Sequence, residues 1–104
     1  MGKNRTIKII ANLIGGMTAH KILIKYANKP ESIPHMESEV DNYRSSISDY
    51  LAEFNWNIQD KERIKREAET SLRKALKESH FKGIGFPNNE ITKMLNQTIK
   101  AFFE

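Results

Sequence analysis

Seven apolar side chains, Ile33, Met36, Val40, Tyr43, Ile47, Tyr50 and Phe54, recur at separations that alternate between three and four. A strand repeats every two residues and cannot gather this set on one side, whereas a helix repeats every 3.6 and does so directly. The spacing predicts a long amphipathic helix over Pro34–Asn55, and such a helix needs an apolar partner along its length. Its start is marked by Lys29-Pro30-Glu31-Ser32-Ile33-Pro34, where the prolines bias Lys29 and Ile33 away from helical geometry and Pro34 suits a first turn. Glu37, Glu39 and Asp41 follow near the positive end of the helix dipole.

The rest of the chain offers the partners. Asn55-Trp56-Asn57 breaks the stripe, and Asn57 with Asp60 three residues on forms a capping-box pattern for a further helix over Gln59–His80. So short a connection makes the two helices antiparallel neighbours. Ile64, Ala68, Leu72, Ala75 and Leu76 form the apolar side, and Glu62–Arg66, Glu69–Arg73 and Lys74–Glu78 are oppositely charged pairs four apart. The run from Gly83 to Asn89 ends this helix by glycine and begins a last one over Asn89–Phe103, with Ile91, Met94, Leu95, Thr98, Ile99 and Phe102 at helical spacing. The first segment admits two readings. Ile9, Leu13, Met17, Ile24 and Ala27 make a helical face over Thr6–Asn28, while the Gly15–Gly16 pair suits a hairpin turn between isoleucine-rich arms. Alternation fails at Ile9-Ile10-Ala11 and at Ile22-Leu23-Ile24, which favours the helix. The two glycines then allow a neighbouring helix to approach closely, or kink the rod. The expected fold is all-α, one antiparallel four-helix domain over residues 1–104; the runner-up is an N-terminal hairpin on three helices.

Several chemistries are excluded by residue type. The chain has no cysteine, which rules out disulfides, thiolate metal sites, iron–sulfur clusters and a cysteine nucleophile. Hydrophobic residues make up 38% of its 104, enough for a single core and too few for two. Lys8, Lys21 and Lys25 interrupt the apolar N-terminal stretch, and the lysine-free run Ile9–Ala19 is too short to cross a hydrocarbon core of ~30 Å. The expectation is no membrane span and a soluble, cytoplasmic protein. Charge is segregated: Lys3, Arg5, Lys8, Lys21, Lys25 and Lys29 make the first segment basic, and Glu31, Glu37, Glu39, Asp41, Asp49 and Glu53 against Arg44 make the next acidic, so the two are expected to attract each other.

The candidate sites are few. No two of His20, His35 and His80 have the four-residue spacing that would place paired metal ligands on a helix. His35 and Glu39 have it and read as a solvated surface pair, and His20 reads as a partly buried, satisfied side chain. Neither metal nor cofactor is expected. Ser45, Ser46, Ser48, Ser71 and Ser79 lack the strand–turn–helix setting of a nucleophile, and no enzyme is expected. Gly83-Ile84-Gly85 before a helix start is the outline of a weak anion site and reads as a turn. Two surfaces carry functional content. Arg63, Arg66, Arg73, Lys74 and Lys77, with Thr70 among them, project from the side of the third helix opposite its apolar residues and could bind a polyanion. Tyr43, Tyr50, Phe54 and Trp56 could meet a partner chain. The expected function is a non-catalytic binding protein acting through a protein partner or self-association, as a homo-oligomer. The alternative is nucleic-acid binding through the third-helix cations.

Overall fold

In a computed structural model of the chain, which describes residues 2–26, 30–78 and 85–103, the first segment is one unbroken helix, α1 (Lys3–Tyr26). The hairpin is therefore excluded. A single 3-10 turn, Pro30–Ser32, leads into α2 (Ile33–Leu51), followed by α3 (Ile58–Ala75) and α4 (Asn89–Phe103). Among the described residues there is no strand, and the architecture is all-helical as the periodicity requires.

Two of the sequence signals act where they were read. Asp60 donates its backbone N–H to Asn57 Oδ1 at 2.8 Å, and Asn57 donates its own to Asp60 Oδ2 at 3.1 Å, so the capping box is complete. Pro34 lies in the first turn of α2, where its missing N–H costs no hydrogen bond. The ends of α2 and α3 differ from expectation. α2 stops at Leu51 rather than at Asn55, because the Trp56 indole N–H donates to the Leu51 carbonyl at 2.8 Å and folds the chain back beneath the last turn. Phe54 thus leaves the helix, and its ring meets Trp56 edge-on at 5.8 Å. α3 ends in a tightened turn, with the Lys77 N–H donating to the Lys74 carbonyl.

α1 is the central element. Its contacts with α2 and α4 run antiparallel, Gly16 lying against Tyr43 and Lys25 against Glu90, whereas α3 lies parallel to it, with Lys3 opposite Asp60 and Gly15 opposite Ser71. α2 packs on α1 and makes only slight contact with α3 and α4, so the short connection does not make α2 and α3 the neighbours expected: each packs on α1 instead, at Gly16 and Gly15. Ile7, Ile10, Ile14, Met17 and Ile22 of α1 are fully buried among Ile47 of α2, Ile64, Ala68 and Leu72 of α3, and Leu95 of α4. By length and hydropathy α1 could cross a membrane; half of that stretch is instead buried inside the bundle. The glycine pair explains the close assembly. A Cβ on Gly15 would lie 2.8 Å from Ser71 Cβ and 2.9 Å from the Leu72 backbone nitrogen, and one on Gly16 would lie 2.9 Å from the Tyr43 hydroxyl. Each glycine admits a different neighbour, α3 on one side and α2 on the other, and α1 runs through both without a break.

The charge segregation resolves differently from expectation. α1 and α2 are neighbours, yet Lys3 bonds Asp60 of α3 at 2.6 Å and Lys25 bonds Glu90 of α4 at 2.9 Å. Glu90 is buried at the start of α4, and its hydrogen bonds from Lys25 and Tyr26 hold its carboxyl below the usual glutamate range. Thr18 and Thr98, both buried, place their hydroxyls 3.3 Å apart between α1 and α4, while each also bonds a carbonyl one turn back.

Candidate polyanion-binding face

α3 has its apolar residues at Ile64, Ala68 and Leu72, which are sealed in the core. Arg66, Thr70, Arg73, Lys74 and Lys77 are all exposed on the other side. Helical rise places Arg66 and Arg73 ~10 Å apart along the axis on nearly the same line, and Lys77 follows in the turn after the helix.

The cations differ in how far the fold engages them. Arg63 is held twice: its Nε donates to Glu67 at 2.7 Å and its Nη1 donates to Asn4 Oδ1 of α1 at 2.8 Å. It acts as a clasp between α1 and α3 and is lost to the candidate face. Arg73 makes a loose pair with Glu69 at 3.8 Å. Among the described residues, Arg66, Lys74 and Lys77 have no carboxylate within ion-pair distance; the Glu62–Arg66 and Lys74–Glu78 pairs that the spacing suggests are not formed. Arg73, Lys74 and Lys77 lie at the negative end of the helix dipole, which accounts in part for their presence. Arg66 lies two turns upstream and has no such role. Asn4 could not have been found from sequence, since its bond to Arg63 spans 59 residues; Glu67 could have been, since it lies four residues on from Arg63.

The aromatic candidates are placed otherwise. Tyr43, Tyr50 and Trp56 are half-buried and pack against the core. Tyr43 covers Gly16 and lies 5.4 Å from the His20 ring; its hydroxyl is held above its ordinary value by burial first and then by Glu39 and Glu78. Trp56 carries Lys3 over its ring at 5.4 Å. Phe54 is half-buried against Trp56. Among the described residues, the exposed large hydrophobic is Ile58, at 72%.

The histidines give one surprise. Glu39 reaches His35 Nε2 at 3.1 Å, as their spacing suggests, and also His20 Nε2 of α1 at 2.8 Å. Among the described residues no three acidic or histidine side chains are placed to hold a metal ion. His80, Ser79 and the Gly83-Ile84 part of the glycine turn lie outside the described residues. No model of a known protein family, no curated protein and no solved structure matches the chain.

Proposed function

We propose that the protein is a non-catalytic, intracellular helical binding module whose ligand is a polyanion, with duplex nucleic acid the class that suits it best. One observation carries the reading: Arg66 and Lys74 on α3, and Lys77 in the turn that follows it, are exposed and, among the described residues, no carboxylate engages them. A row of unneutralised cations along a rigid helix meets successive phosphates and exchanges their counterions for protein charge, with no need to read bases. No aromatic side chain is interleaved with these cations, so a stacked single strand is less well served than a duplex backbone. Partner binding through Tyr43, Tyr50, Phe54 and Trp56 draws less support, because those rings are half-buried, three of them against the core of their own chain. Ile58 is the foothold for a protein partner or a second copy.

The test is fluorescence anisotropy of labelled duplex DNA and RNA against the protein and its Arg66→Ala, Lys74→Ala, Lys77→Ala triple variant. The expected result is binding at low salt that the triple variant loses. With about three phosphates neutralised, affinity should fall roughly 40-fold from about 50 to 200 mM salt. Binding that survives in the triple variant, or no binding at low salt, overturns the reading.

A further inference from the structure

Glu39 lies between two imidazoles on the α1–α2 seam. His20 Nε2 faces its Oε2 at 2.8 Å, and His35 Nε2 faces its Oε1 at 3.1 Å. The other ring nitrogen of His20, Nδ1, is 2.8 Å from the Gly16 backbone oxygen. Carboxylate and carbonyl are both acceptors, and a neutral imidazole carries one N–H. Both of these His20 contacts are hydrogen bonds only when the ring is imidazolium; in the neutral ring one lone pair faces an oxygen. His35 satisfies its contact with the single N–H of a neutral ring.

The junction is positioned to act on one element. α2 packs on α1 and barely touches α3 or α4, so a weakened seam loosens α2 ahead of the rest. Beside it an open cavity of about 290 Å3, lined by Leu13, Glu39, Asn42, Tyr43 and Ser46, gives solvent a route to the carboxylate. Among the described residues, the charged and titratable groups around His20 include Lys21 on its own helix, His35, Glu39, Tyr43 and Arg44 from α2, and Glu78 beyond α3, which acts on Tyr43. Of these side-chain types, imidazole is the one whose ordinary titration falls between about pH 5 and 8.

We infer that His20 and Glu39 form a proton-operated latch on α2, closed while His20 carries both ring protons and loosened when alkaline conditions remove one. The bound proton favours the closed seam, so docking of α2 weakens as pH rises. Glu39→Gln is the discriminating variant, because the glutamine amide donates to the unprotonated Nε2 and keeps the seam closed whatever the ring's charge.

Hydrogen exchange, corrected for the intrinsic pH dependence of the amide rate, reads the latch at about pH 5.5 and about pH 8. In the wild type, protection of α2 should fall about five-fold relative to α1 and α3 at the higher pH. The fall should vanish in Glu39→Gln and persist in His35→Ala. An equal fall in Glu39→Gln, its loss in His35→Ala, or α2 protection that tracks the other helices overturns the latch. Should the glutamine variant not fold, the ring 15N shifts of His20 in the wild type decide: a ring proton lost in step with α2 protection supports the latch, and one lost with no change in α2 protection overturns it.

Discussion

Replacing Gly15 by alanine tests the packing at its tightest point. The added Cβ would stand 2.7 Å from Ser71 Oγ, 2.8 Å from Ser71 Cβ and 2.9 Å from the Leu72 backbone nitrogen. The hydroxyl can rotate away, but the other two atoms are fixed to the α3 backbone, so α3 itself must retreat by about half an ångström to reach ordinary contact. Retreat draws Ile64, Ala68 and Leu72 out of a core in which all three are fully buried. Because the α3 backbone rather than the end of a side chain must yield, the overpacking cost lies in the upper part of its usual range, about 2–3 kcal/mol. Alanine recovers ~1 kcal/mol through its better helix propensity. The expected net is a loss of about 1–2 kcal/mol, or roughly 4–16 °C in Tm for a chain of this size. Gly16→Ala is the control. Its new Cβ meets the hydroxyl and ring edge of Tyr43 at 2.9–3.0 Å, the far end of a half-buried side chain that can pivot. Gain and loss should then cancel to within about 1 kcal/mol. Thermal and urea unfolding followed by circular dichroism measures both. Gly15→Ala as stable as the wild type, or Gly16→Ala the more damaging of the two, would show that α3 does not lie on α1 in this register.

Four further outcomes are expected. Leu72→Ala removes a fully buried side chain between α1 and α3 and should cost ~2–5 kcal/mol in urea unfolding; a cost near zero would refute that placement. Asn57→Ala removes one arm of the capping box, and a loss of ~0.5–2 kcal/mol is expected in the same assay. Acidification should destabilise the fold through Glu90 and Asp60, whose carboxyls are held low first by hydrogen bonds from Lys25 and Lys3 respectively. Their contribution is present above the ordinary carboxylate range near about pH 4 and is lost as pH falls through the lowered folded values, so Glu90→Gln should flatten the acid limb of a Tm-against-pH curve. Ile58→Glu should change stability by less than about 0.5 kcal/mol, since the side chain stands in water.

The helices were legible in the sequence wherever local chemistry sufficed. Three-four spacing placed α2, the Asn57–Asp60 pair placed the start of α3, and Asn89 opened α4 where expected. The ends were harder, because a distant group decides them: no spacing rule announces that the Trp56 indole will take the Leu51 carbonyl and stop α2 early. The Gly15–Gly16 pair was ambiguous for a related reason. A glycine's meaning depends on what fills the space beside it, and Ser71 and Tyr43 come from other helices. The candidate face was legible as a row of cations and illegible in its detail. Helical position brings Arg63, Arg66, Arg73, Lys74 and Lys77 to one side of α3, yet only tertiary contact shows that Asn4 and Glu67 hold Arg63 while Arg66 is left without a carboxylate. The junction at Glu39 follows the same pattern, with His35 visible four residues away and His20 reaching it from α1.

Amide chemical shifts of the 15N-labelled protein, titrated with a short DNA duplex at low salt, test most directly whether α3 presents the proposed binding surface. Shifts are expected to cluster at Arg66, Thr70, Arg73, Lys74 and Lys77 and to reverse when salt is raised. Shifts confined to Tyr43, Tyr50 and the α2 surface, or none at saturating duplex, would contradict it.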